Sequence, residues 1–155
     1  MTIKTKHNTP YFGRIIHEAM ELSKIGYLAE KYWNEIPVHF NFALPEAFVV
    51  MPDHIHGIIK INKRKDAETR HCLVSTINHF KMNQTNKNHY RYRNPGKNNL
   101  SSIIGSYKAI VSRKAHDINI QFSWQPRFHD KIIWNFDELE FYKSYIKNNP
   151  QNWKG

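Results

Sequence analysis

The chain has a single cysteine, Cys72, so no disulfide can form within it, and a reducing compartment is the expected setting. No stretch approaches the ~18 consecutive apolar residues of a membrane-spanning helix. The opening residues, MTIKTKHNTPYFG, lack the apolar core of a secretory signal. No internal repeat stands out, which sets aside solenoid and propeller architectures. Acidic residues are scarce: 13 Asp and Glu stand against 23 Lys and Arg, for a net charge of +10.

What is present is enough for one folded unit. Hydrophobic residues make up 40% of the 155 and aromatics 14%, which suits a single domain over 1–155 with a real core. The positive charge points to a polyanionic partner, and it is unevenly spread. Residues 63 to 97 hold nine basic side chains against Asp66 and Glu68, a net +7 in 35 residues. This polar stretch, 63–98, reads as a flexible basic excursion and not a second domain. Lys63, Arg64, Lys65, Arg91 and Arg93 are its candidate nucleic-acid contacts. His79, Phe80, His89, Tyr90 and Tyr92 are interleaved for base stacking. A solvated loop without a binding role is the plainer alternative.

Patterning predicts the elements. Residues 1–6 alternate as a strand. YFGRII and EAMEL pair as a hairpin around His17 and Glu18. A helix spans 23–39, capped by Ser23, with Ile25, Leu28, Ala29, Tyr32, Trp33 and Ile36 near a 3.6-residue period and Pro37 marking its end. Strands follow at 46–51 and 54–62, and CLVSTINHF in the basic stretch could be either helix or strand. A helix runs from Leu100 to about 116. FSWQPRFHDKII is extended. Asn135 caps a last helix, 136–149, with Glu138 completing a capping box and Pro150 stopping it. This order predicts an α+β fold: a ferredoxin-like sandwich with an antiparallel sheet and helices packed on one face.

Two clusters carry chemistry. In VVMPDHIHGIIKI, residues 49–61, His54 and His56 flank Ile55 on a strand, so both imidazoles share one face. Such a pair can hold one divalent cation, or it can be two hydrogen-bonded structural histidines. Gly57 would leave room above the strand for a ligand, and Asp53 could orient a ring or hold water. A histidine-triad nucleotide hydrolase would need a third histidine where Ile58 stands. Around EFYKSYIKNNP, residues 140–150, Tyr142 and Ile146 form a narrow core stripe with Leu139 just before it, at about 100° per residue. Tyr145 and Asn149 form an i, i+4 pair beside it. Tyr145 faces a cleft or packs as a rim tyrosine.

FVVMPDHIHGIIKI, LSSIIGSYKAIVSRKA, FSWQPRFHDKII and YIKNNPQNW occur in this order and at similar spacing in the IS200/IS605-like transposases. The chain resembles that family over nearly its whole length, most of all its REP-associated tyrosine transposase branch. The resemblance implies that His54 and His56 are the metal pair of the His-hydrophobic-His nuclease motif, that Tyr145 is the nucleophile and that Asn149 is the third metal ligand. It gives no role to Trp124-Gln125 or Phe128-His129. The implied activity is metal-dependent nicking and rejoining of single-stranded or hairpin DNA through a 5′-phosphotyrosine, with Mg²⁺ or Mn²⁺ as cofactor. The implied setting is a prokaryotic cytoplasm, at the nucleoid, and a homodimer stays open. The first strand begins at Met1 and the chain ends at Gly155, where relatives carry more, so hairpin recognition is expected to be reduced or differently built. A replication-initiator-like nickase and a non-catalytic nucleic-acid-binding relic are the competing readings.

Overall fold

The β-branched run that ends at Asn62 cannot bury its apolar residues alone, and its neighbours in the sheet explain why it is so apolar. In the computed structural model, which describes residues 1–62 and 99–153, it forms β5 (His54–Ile61), the middle of three hydrogen-bonded strands. β4 (Ala43–Val50) and β1 (Thr2–Lys4) pair with it antiparallel on either side. Residues 123–129 run along the free edge of β1. There Lys6 N donates to Ser123 O (2.9 Å), Gln125 N to Lys4 O (2.8 Å) and His129 N to Thr2 O (3.0 Å). Arg127, at φ 66°, breaks this pairing into two short pieces after Pro126. The last extended segment thus lies beside the first strand, as a ferredoxin-like α+β sandwich requires.

Between β1 and β4 the chain makes the predicted hairpin, β2 (Gly13–Ile16) and β3 (Ala19–Leu22). Its two-residue turn places His17 and Glu18 at φ 49° and 63°, the positive values whose twist matches that of paired strands. Next come α1 (Lys24–Asn34) and the single turn α2 (Ile36–His39). Ser23 caps α1 by accepting from Gly26 N at 3.1 Å. The predicted 23–39 helix is therefore two. Pro37 sits in the first turn of α2, where its missing N–H costs nothing, and the break falls at Glu35. After the undescribed segment come α3 (Leu100–His116), capped by Asn99, and α4 (Phe136–Lys147), capped by Asn135. The fragment CLVSTINHF and the excursion at 63–98 lie outside the described residues.

Register sorts the sheet into two faces. Ile3 stands opposite Ile55, and Phe48 opposite Gly57; these face α1 and α3 across a core that includes Phe12, Trp33, Ile103, Ile104 and Val111. Gly57 serves this face. A Cβ there would lie 2.4 Å from the Trp33 ring, which stacks on Phe48 at 4.5 Å. The space above Gly57 is filled by Trp33, so the expectation that it admits a ligand is corrected: ligand room is needed on the histidine side, and Gly57 is glycine so that an indole can approach the backbone. The opposite face carries Thr2, His54, His56 and Ile58, and there α4 lies across the strands, so the expected packing of helices on one face holds for α1 and α3 but not for α4. Lys143 ties α4 to Glu46 at 3.4 Å. Trp124 donates from Nε1 to Lys108 O (3.2 Å) and packs on Phe12 and Phe122, so the Trp-Gln segment fastens the edge to α3. Among the described residues, no helix is long and apolar enough to cross a membrane.

Candidate active site

The histidine pair is set by a tight turn. Met51 N donates to His54 O at 2.8 Å, closing Met51-Pro52-Asp53-His54 between β4 and β5. Fully buried Thr5 grips the turn: its N and Oγ1 both donate to Asp53 O, at 2.8 and 2.9 Å. Strand alternation then sends the rings of His54 and His56 to one face, with centroids 4.6 Å apart and planes at 79°.

Each ring is held by its Nδ1. His54 Nδ1 lies 2.5 Å from Asp53 Oδ1, in a pair that is almost wholly buried. His56 Nδ1 lies 2.9 Å from Thr2 Oγ1. The two Nε2 atoms face each other at 3.1 Å. Burial pushes the His56 imidazole down from its ordinary 6.5 to about 4, with His54, the chain's amino terminus and Lys4 adding to the effect. At neutral pH His56 is therefore an uncharged ring, the form that ligates metals.

Tyr145 stands against the same ring. Its centroid is 5.6 Å from that of His56, edge to face at 71°, and it is 47% exposed. Both line a cleft of about 310 Å³, together with Thr2, His129, Lys131 and Tyr142. Tyr142 is engaged by Lys131, whose Nζ lies 3.2 Å from its hydroxyl and 2.5 Å from Glu138 Oε1. Of the core stripe expected on α4, Ile146 is buried, while Leu139 and Tyr142 are half-buried. Asn149 follows one turn after Tyr145 and is buried at the start of a short 3₁₀ turn, Pro150–Asn152. That turn returns the chain to the pair, with the Trp153 ring 5.6 Å from His54.

Among the described residues there is no group of three or more His, Cys, Asp or Glu side chains that could hold a metal. The donor set predicted from sequence, two imidazoles and an amide, is of another kind, and the imidazole half fits one cation. Two nitrogens ~2.1 Å from a metal and 3.1 Å apart subtend about 95° at it, within the range of common coordination geometries. Asp53 gives His54 the kind of carboxylate partner that commonly orients a ligating histidine, and Thr2 gives His56 a hydroxyl that can donate or accept.

Of the predicted residues, His54, His56 and Tyr145 come together on this face; Asn149 is buried one turn after Tyr145, ahead of the turn that carries Trp153 to His54. Lys63, Arg64, Lys65, Arg91 and Arg93 lie outside the described residues. Thr2, Lys131 and Trp153 were not singled out as site residues in the sequence. Trp153 belongs to the quoted YIKNNPQNW, but Thr2 carries no local signal, because only the register of β1 on β5 puts it opposite His56.

No family model matches the chain, and no solved structure matches it. It is similar to a Haemophilus influenzae protein described only as uncharacterized, 29% identical over 156 residues that cover 99% of this chain and 80% of the other.

Proposed function

We propose that this chain is a metal-dependent tyrosine transposase that nicks and rejoins single-stranded or hairpin DNA. The observation that carries the reading is one juxtaposition: the Tyr145 ring packs on His56, whose Nε2 lies 3.1 Å from that of His54, at the rim of a solvent-open cleft.

In this reading His54, His56 and Asn149 would hold Mg²⁺ or Mn²⁺. The bound ion would polarise the scissile phosphate and stabilise charge growing on its oxygens. The remaining work belongs to the chain. The half-exposed phenol of Tyr145 attacks phosphorus in line and gives up its proton to solvent. The bond from phosphorus to the 3′ oxygen breaks, and that oxygen leaves as a free hydroxyl once protonated. The 5′ phosphate stays as an ester on Tyr145, so the bond energy is kept and another 3′ hydroxyl can reverse the attack. A single strand or hairpin end bends into such a cleft more readily than stacked duplex does.

The test is a denaturing gel of end-labelled hairpin DNA incubated with the protein and Mn²⁺. The expected result is a protein-linked band carrying the fragment 3′ of the break, joined through its 5′ phosphate, absent with EDTA and absent in Tyr145→Phe. A replication-type nickase would give the adduct without efficient rejoining to a second 3′ end. A non-catalytic binder would give no adduct, and that outcome refutes the proposal.

A further inference from the structure

We propose that Thr2 and Asp53 assign the protons of the two imidazoles, and that Thr2 allows His56 to move its proton from Nε2 to Nδ1 when a divalent cation binds. The inference rests on the metal site proposed above and adds positioning residues to it.

Three contacts in series fix where the protons sit. A carboxylate only accepts hydrogen bonds. The 2.5 Å contact with Asp53 therefore puts a hydrogen on His54 Nδ1 and, in the neutral ring, leaves its Nε2 bare. Facing that bare nitrogen at 3.1 Å is His56 Nε2. Two lone pairs aimed at each other would repel, so in the metal-free protein the hydrogen between them belongs to His56. The His56 Nδ1 is then bare, and it accepts from the Thr2 hydroxyl 2.9 Å away. Donation runs one way along the chain, from Thr2 to His56 to His54 to Asp53.

A cation needs both Nε2 atoms bare. His54 is already in that state. His56 reaches it by carrying its proton on Nδ1 instead of Nε2, with no change in charge. A hydroxyl is suited to both states because it can donate to Nδ1 in one and accept from Nδ1–H in the other by turning about its C–O bond. A carboxylate at position 2 would hold His56 permanently in the ligating form, as Asp53 holds His54. His54 is thus a preset ligand and His56 a conditional one.

The measurement is long-range ¹H–¹⁵N correlation of the histidine rings at pH 7.5, before and after zinc, with Mn²⁺ and Zn²⁺ affinities measured in parallel. The metal-free protein is expected to show His54 with its hydrogen on Nδ1 and His56 with its hydrogen on Nε2. Zinc is expected to move the His56 hydrogen to Nδ1 and leave His54 unchanged. Thr2→Val is expected to weaken both metals by about tenfold, the lower end for loss of a partner to a ligating histidine. Thr2→Ser, which keeps the hydroxyl, is expected to restore binding. If zinc binds and His56 carries its hydrogen on Nδ1 throughout, or if Thr2→Val binds as the parent does, the switch is refuted and the metal site stands. If His54 carries hydrogens on both nitrogens, its Nε2 is not bare, the hydrogen between the rings is its own, and the switch is refuted. If neither metal perturbs either ring, the metal site and the switch fall together.

Discussion

The depressed His56 imidazole makes a stability prediction that needs no DNA and no metal. In the unfolded chain this ring protonates at its ordinary 6.5; in the folded protein burial holds it to about 4. Between those values the unfolded state binds the extra proton, so stability falls as pH falls through that window and levels off below it. The displacement corresponds to at most ~3.4 kcal/mol at ~1.36 kcal/mol per tenfold change in proton affinity. The ring is only part-buried and borders an open cleft, so solvent screening lowers the expected loss to about 1.5 to 2 kcal/mol. The assay is urea unfolding of the metal-free protein at pH 7.5 and pH 4, for the parent and for His56→Gln. The glutamine can keep a hydrogen bond to Thr2 but cannot titrate. The parent should lose more stability than the variant over this interval, by about that amount. Equal losses in the two proteins would mean that the fold does not resist protonation at position 56, and the neutral, ligand-ready state argued for this ring would be wrong.

Tyr145→Phe should abolish the covalent DNA adduct and Tyr142→Phe should keep it, because Tyr145 rests on His56 while the Tyr142 hydroxyl is held by Lys131; the reverse pattern on a denaturing gel would reassign the nucleophile. Gly57→Ala should destabilise the protein by roughly 1 to 3 kcal/mol in urea, because the new methyl meets an indole held between Phe48 and Tyr107. Its Mn²⁺ affinity should not change, since position 57 faces away from the histidines; a loss of metal binding with unaltered stability would contradict the assignment of faces. Affinity for single-stranded DNA should fall steeply and log-linearly with salt between about 50 and 200 mM, and a flat profile would remove the basic surface from the binding account.

Much of this molecule is written in short-range pattern. Alternation along residues 54–61 determines that His54 and His56 share a face, and the spacing of Ile103, Ile104, Tyr107 and Val111 determines a helix with one buried side. Ser23 and Asn135 mark helix starts, because a cap bonds within three residues of itself. The helix predicted over 23–39 failed at Glu35 because a proline is equally at home after one helix and inside the first turn of the next. Gly57 was misread for a related reason: a glycine announces a close approach but not what approaches, and Trp33 comes from 24 residues earlier in the chain.

The site itself divides along the same line. Residue types and local spacing bring forward two imidazoles, a phenol and an amide, with no information on whether they meet. That the imidazoles and the phenol meet depends on the antiparallel register that sets Thr2 opposite His56, on the turn that Thr5 grips through Asp53, and on the path that lays α4 over the histidine face and returns Trp153 to His54. Those are contacts between residues 48 to more than 90 positions apart, fixed by packing and hydrogen bonding across the whole domain. No window of sequence short enough to show a period contains them.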